Sequence, residues 1–548
     1  MQKNKNLILS ISNLTVTYPT EKNQINAVDN VNLEIFQNEK IAIVGESGSG
    51  KTTLAMAILS LIKPPGKIIS GDILFENINL LCLHKNELRK KRLNEFSLIT
   101  QGSMNSLNPV KKIYYQLVDG MIDHEYKDKK SNLYKIKSVL KSVGLDEKVL
   151  NMYPHELSGG MKQRISIACS ILLEPKLIIA DEPTSALDVI VQRQVMQTLN
   201  NIQKTLKSSI ILIGHDIGLV VQFADKIGVM HEGKLVEYDE TFQITNNPKH
   251  WYTKLLINSV PNFKKTKNIL KNKITKTDKN PIKIELKNIY KSYDKTLFKN
   301  YKNYSLKNIN LTIDSSKPEI IGIAGQSGSG KSTLMQIILG TLNQTSGEVF
   351  FNGKPIKSFK KKINNNFLKY IQPIFQDPFG VYNPFYKSKH LLIETVNNLL
   401  MLKNSQESID YIKNSMKDVG LDPEIFWERY PHQLSGGQRQ RLMVARALMV
   451  KPKVILADEP VSMIDASLRA SILENIKKLR DKHNITVLYI THDLTTAYQV
   501  CDKLHIMNEG EIVESGNCVE IIDNPKHDYT KLLIDSIPSM DINQNWIY

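Results

Sequence analysis

Apolar and polar positions in this 548-residue chain form two kinds of pattern, and each kind occurs in both halves. Near the start of each half the residues alternate, around Leu14, Val16 and Tyr18 and again around Ile289, Lys291 and Tyr293, which predicts strands with one buried face. Further on come short unbroken apolar runs, at 41–44, 177–180 and 210–214 and then at 320–324, 454–457 and 487–491. Such runs predict strands covered on both faces, as in a parallel sheet flanked by helices. The stretches between them are rich in lysine and leucine and read as helices, beginning with 54–61. The copies keep register: Lys331 follows Lys51 by 280 positions, while Asp458, His492 and Leu532 follow Asp181, His215 and Leu255 by 277 each. A period this long means a duplicated domain, since solenoid repeats are far shorter. The expected fold class is α/β, with domains at 1–262 and 282–548 and a linker at 263–281.

The chemistry sits at the ends of the apolar runs. Gly45, Glu46, Ser47, Gly48, Ser49, Gly50, Lys51, Thr52 and Thr53 stand between a strand and a helix, and Gly325, Gln326, Ser327, Gly328, Ser329, Gly330, Lys331, Ser332 and Thr333 repeat them. This is the spacing of a phosphate-binding P-loop: small residues let backbone N–H groups wrap a polyphosphate, the lysine reaches the β/γ-phosphates, and the Thr52 or Ser332 hydroxyl ligates Mg²⁺. A loop glutamine follows each, Gln101 and Gln376. Then come the octets Leu157-Ser158-Gly159-Gly160-Met161-Lys162-Gln163-Arg164 and Leu434-Ser435-Gly436-Gly437-Gln438-Arg439-Gln440-Arg441. A serine and two glycines opening a helix form a second anion cradle, and simple N-capping would not require the whole octet twice. Two strands end in carboxylate pairs, Asp181-Glu182 and Asp458-Glu459, and two more end at His215 and His492. Asp181 and Asp458 suit Mg²⁺, Glu182 and Glu459 suit polarising a water, and the histidines suit sensing phosphate.

Composition narrows the setting. Apolar content of 41% with 23% charged residues is that of a globular protein, and no apolar stretch approaches the roughly 18 residues of a membrane helix. The polar N-terminus carries no export signal, so cytosolic residence is expected. Cys82, Cys169, Cys501 and Cys518 lack metal-ligand spacing and read as reduced structural thiols. A net charge of +17 favours phosphates, nucleic acid or an anionic membrane face without choosing among them. Lysines at 264, 265, 267, 271, 273, 276, 279 and 283 mark the linker, whose extended reach of roughly 65 Å would let the halves meet face to face.

Together these motifs resemble the ATP-binding cassette (ABC) ATPases over both halves almost end to end. The resemblance implies two tandem P-loop NTPase domains, each a RecA-like core with a helical subdomain at about 101–158 and 376–435. It makes the two P-loops Walker A, Gln101 and Gln376 the Q-loops and additional Mg²⁺ ligands, Asp181/Glu182 and Asp458/Glu459 Walker B, and His215 and His492 the switch histidines. It places D-loops at 185–188 and 462–465, and adenine-stacking rings at Tyr18 and Tyr293. ATP would be sandwiched between Lys51 and the Ser435 signature, and between Lys331 and the Ser158 signature. The segments Asn247-Pro248-Lys249-His250-Trp251-Tyr252-Thr253-Lys254-Leu255-Leu256 and Asn524-Pro525-Lys526-His527-Asp528-Tyr529-Thr530-Lys531-Leu532-Leu533 resemble the tail of oligopeptide, dipeptide and nickel importer ATPases. No cysteine follows either tail, which argues against an iron–sulfur cluster. Gly102, Gly214 and Met463-Ile464 depart from the family pattern without removing a catalytic group, so both sites are expected to hydrolyse ATP. The segment 104–109 also resembles oligosaccharide importers. The resemblance implies two transmembrane permease subunits and a solute-binding protein as partners, peripheral attachment at the cytoplasmic membrane face, and no nucleic-acid ligand. The rival reading is a soluble tandem-cassette ATPase acting on ribosomes or nucleic acid; the short linker and the presence of both histidines weigh against it.

Overall fold

The structure is a computed structural model, and it describes residues 6–19, 24–102, 106–126, 128–185, 187–260, 280–293, 303–356, 365–376, 378–402, 406–461, 466–541, 544, 546 and 547. The linker up to residue 279, the D-loop at 462–465, Ala186, Met104, Asn105 and Asp377 lie outside the described residues. The chain divides into two compact units, one of Met1–Val260, Asp465–Ser467 and Pro538–Tyr548, the other of Pro261–Ile464 and Leu468–Ile537.

Each unit contains two sheets. In the first, an antiparallel sheet runs in the order Gln24–Phe36, Leu7–Pro19, Lys67–Phe75, Ile78–Asn79. A six-stranded sheet runs Lys234–Glu240, Lys226–His231, Lys40–Val44, Ser209–Gly214, Leu177–Asp181, Phe96–Ile99, parallel except for its first edge strand. The second unit repeats both orders, its larger sheet running Ile371–Ile374, Val454–Asp458, Thr486–Thr491, Ile320–Ala324, Lys503–Asn508, Glu511–Asn517.

The unbroken apolar runs are explained by the layers on either side. Along Lys40–Val44, Ile41 and Ile43 point into a core shared with the antiparallel sheet, while Ala42 and Val44 enter a second core shared with the helices. Leu177 and Ile179 alternate with Ile178 and Ala180 in the same way. With both faces covered, every position must be apolar, and truncating such a residue to alanine costs about 2–5 kcal/mol. The helical stretch after the first P-loop is Lys51–Ile58, ending three residues before the pattern suggested, because Ser60 turns to φ 51°. The predicted helical subdomain holds Ile113–Ile122 and Lys129–Ser142 in the first unit and Ser388–Thr395 and Gln406–Asp418 in the second. All four cysteines are unpaired thiols, and no helix among the described residues is long and apolar enough to cross a membrane.

One half-buried histidine should make the second unit acid-sensitive. His505 lies in Lys503–Asn508 with Nδ1 2.8 Å from Ser515 Oγ on the paired strand. Burial, aided by the Lys503 charge, pushes its pKa down from 6.5 to about 4. Between those values the unfolded chain takes up a proton that the folded chain refuses, so this contribution is intact above 6.5 and is lost as pH falls towards 4. His505→Asn should flatten the fall in Tm between pH 7 and pH 4.5. A variant whose Tm falls as steeply as that of the wild type would remove His505 from the acid response.

Candidate active site

The register of the larger sheet gathers the predicted residues. Val44 pairs with Gly214 and Ile213 with Asp181, so the Lys40–Val44, Ser209–Gly214 and Leu177–Asp181 strands end level with one another. The P-loop, His215, the Asp181-Glu182 pair and Gln101 therefore leave the same carboxyl-terminal edge, where ligands bind in parallel sheets. In the second unit Ala324 pairs with Thr491 and Ile490 with Asp458, with the same result.

The loops are shaped by glycine where nothing else fits. Gly50 sits at φ 99°, and a Cβ there would lie 2.0 Å from the Ala27 carbonyl oxygen. Gly48 and Gly328, both at φ 82°, face open space, and Ser47 and Ser327 beside them are exposed. Gly45 and Gly325 are buried at the foot of each loop. Lys51 is itself buried, and its Nζ donates to the carbonyls of Gly45 and Glu46 at 2.8 and 2.7 Å. Lys331 does the same to Gly325 and Gln326, at 2.7 Å each. Helices Lys51–Ile58 and Lys331–Ile338 point their N-termini into the loops, with Thr52 and Ser332 exposed at the lip and Thr53 and Thr333 behind them.

Glu182 and Glu459 are clamped on both oxygens. Gln101 Nε2 donates to Glu182 Oε2 at 2.8 Å, and His215 Nδ1 stands 3.3 Å from Oε1. Gln376 and His492 hold Glu459 at 2.7 and 2.9 Å. Both glutamates have left-handed backbones, φ 47° and 43°, a conformation costing about 1–3 kcal/mol for a residue with a side chain. Their N–H groups donate to Ile213 and Ile490 at 2.9 Å, which holds the turn.

Environment separates the paired carboxylates. Burial pushes the Asp181 carboxyl up and the Glu182 charge adds to the rise, against the pull of the Thr52 hydrogen bond and the Lys51 charge. Burial and Glu459 raise Asp458 to about 6. Burial also works upward on Glu182 and Glu459, but the bonds and charges of His215 and His492, with Lys51 and Lys331, leave both below the usual range. Burial draws His492 down, yet the bond and charge of Glu459 hold it above its ordinary value. The glutamates are thus kept ionised, while each aspartate is a carboxylate that a cation would stabilise. Asp181 Oδ1 is buried with no hydrogen-bond partner among the described residues, and Thr52 bonds the same side chain. An orphaned carboxylate oxygen beside a hydroxyl fits Mg²⁺, which is bound through one or two carboxylates together with phosphate and water.

The remaining predictions fall in different places. Ser158 and Ser435 cap helices Gly159–Ile171 and Gly436–Met449, accepting from Met161 and Gln438 N–H at 3.3 Å. Gly160 is packed so closely that a Cβ would meet Val191 at 2.7 Å, and Gly437 continues the helix start in the other unit. Tyr293 is 57% exposed, its hydroxyl 3.2 Å from Thr333 Oγ1, whereas Tyr18 is half-buried against Gly66. The two aromatic positions are therefore not equivalent. Asp188 caps Val189–Leu206, and the Ser185 hydroxyl donates to the Glu182 carbonyl at 3.0 Å. Sequence reading missed Tyr252 and Tyr529, whose hydroxyls accept from the N–H groups of Glu46 and Gln326, both at 2.9 Å. Their signal was the repeated tail segment, which had no assigned chemistry.

Comparison with known proteins finds similarity along both halves of the chain. The chain matches the ABC transporter family at residues 28–185 and 306–462, and the oligopeptide/dipeptide transporter C-terminal region at 236–285 and 513–548. It is 35% identical to the peptidoglycan transport ATP-binding protein YejF of Agrobacterium fabrum, covering 97% of each chain. It is 36% identical to the uncharacterized ABC transporter ATP-binding protein YejF of Escherichia coli, over 96% of this chain and 99% of that one. It is 33% identical to the glutathione import ATP-binding protein GsiA of Escherichia coli, over 97% and 89%. With the matches running nearly end to end, the chain belongs to the ABC transporter family, as an ATP-hydrolysing importer subunit with two fused cassettes.

Proposed function

We propose that this ATPase drives uptake of a peptide-class solute, working at the cytoplasmic membrane face with two permease subunits and a solute-binding protein. The observation that carries this reading is the oligopeptide/dipeptide transporter C-terminal region, which follows each of the two ABC transporter matches. Relatives named for peptidoglycan transport and glutathione import support a cargo built from amino acids. The cassettes run 1–262 and 282–548, with the lysine-rich linker at 263–281.

Each P-loop holds the triphosphate of ATP through its backbone N–H groups, and Lys51 or Lys331 turns from its loop carbonyls to the β/γ-phosphates. Mg²⁺ would be held by Thr52, Asp181 and Gln101, and by Ser332, Asp458 and Gln376, and would neutralise charge developing on the phosphates. Glu182 and Glu459, kept ionised by their histidines, polarise the attacking water. Gln101 and Gln376 link that carboxylate to the groove where a permease helix docks. The Ser435 signature completes the Lys51 site and the Ser158 signature the Lys331 site, so ATP binding favours closure by its difference in affinity for the closed and open forms.

Replacing both Glu182 and Glu459 with glutamine should preserve ATP binding and slow single-turnover hydrolysis roughly 10²-fold or more. Near-normal hydrolysis would exclude them as the groups acting on water. Ser158→Arg should suppress turnover of the nucleotide held by Lys331 and leave the Lys51 site less affected. Nucleotide trapping resolved by site would contradict the crossed arrangement if the damage stayed at Lys51. Native membranes washed in high salt should retain the protein with two hydrophobic subunits, since ionic attachment is screened over roughly 10 Å at 0.1 M. Its release into the wash would instead identify charge as the means of attachment.

A further inference from the structure

The repeated tail segment has a place in the structure that docking or transport does not explain. In the first unit Glu237, on strand Lys234–Glu240, accepts the N–H groups of Lys249 and His250 at 2.9 and 3.0 Å. His250 Nδ1 accepts from Tyr252 N–H at 3.2 Å and caps helix Trp251–Ser259. These bonds fix the first turn of the helix. Tyr252 is 1% exposed, stacks on His231 with ring centres 4.1 Å apart, and accepts the N–H of Glu46 at 2.9 Å. The second unit repeats the arrangement, with Asn508 at the position equivalent to His231. Glu514 accepts from Lys526 and His527 at 2.9 and 3.1 Å, His527 caps Asp528–Asp535, and Tyr529 accepts the N–H of Gln326 at 2.9 Å.

Glu46 is therefore held at both ends, its N–H by the tail tyrosine and its carbonyl by Lys51 at 2.7 Å; Gln326 is held by Tyr529 and Lys331 in the same way. A backbone N–H in a phosphate-binding loop must find a partner, and one tied to a phenol is withdrawn from the phosphate cradle. The tyrosine thus selects which N–H groups converge on the nucleotide and sets the peptide on which the lysine rests.

We propose that Tyr252 and Tyr529 are positioning residues for the two P-loops, and that the tail segment of each cassette is a brace for its own nucleotide site. The brace does not depend on which solute is carried, since it rests only on ATP binding at the P-loops. In the full chain, Tyr252→Phe with Tyr529→Phe keeps the ring and removes the acceptor. ATP affinity and KM should weaken about three- to tenfold, the worth of one hydrogen bond, with kcat within about twofold because the Glu, His and Gln clamps are untouched. Leu255→Ala, on the exposed side of the same helix, is the control for simple loosening of the tail and should leave KM unchanged. Unchanged KM in the double phenylalanine variant would overturn the proposal. So would an equal rise in KM in Leu255→Ala, because the tail would then act through stability alone.

Discussion

Everything chemical in this molecule depends on the parallel register of the larger sheet in each unit. Three strands that are far apart in sequence end level, and the loops leaving them carry the lysine, the histidine and the carboxylate pair. A one-residue slip would turn each strand's side chains to the opposite face, and the double-sided packing forbids it. Ile41 and Ile43 on one face and Ala42 and Val44 on the other lock the strand in place from both sides. The same cores that stabilise the fold therefore set the geometry of the site.

On that platform, local environment assigns different work to neighbouring carboxylates. Asp458 and Glu459 are adjacent in sequence, yet one is pushed up by burial and by its neighbour while the other is kept low by a histidine and a lysine. Two acids in contact cannot both ionise cheaply in a half-buried site. The histidine settles which of them stays charged. Because the arrangement recurs in the first unit, it follows from the architecture and not from one local accident.

Much of this was legible in the sequence because each motif is local and tied to a strand end. The unbroken runs at 41–44 and 177–180 marked the central strands, and the residues beyond them marked the site. What escaped was non-local. Gln101 meets Glu182 across 81 positions and Tyr252 meets Glu46 across 206, and sheet order and the returning tail bring them together. The packing of Tyr18 was also hidden, because it involves Gly66, a glycine in a separate loop where a Cβ would meet the ring. The end of the helix after the first P-loop was read three residues too far along because Ser60, an unremarkable residue in sequence, adopts a left-handed turn.

The clamp on Glu182 and Glu459 bears on how each carboxylate is aimed. Each has one oxygen bonded to a glutamine and the other beside a histidine, and a carboxylate oxygen with one partner keeps an acceptor site for a water. The two partners therefore fix the direction from which a water can be held. In the proposed complex the glutamine lies on the loop beside the docked membrane partner, so movement of that loop would turn the carboxylate. Transport and hydrolysis would then be coupled through the angle of one side chain.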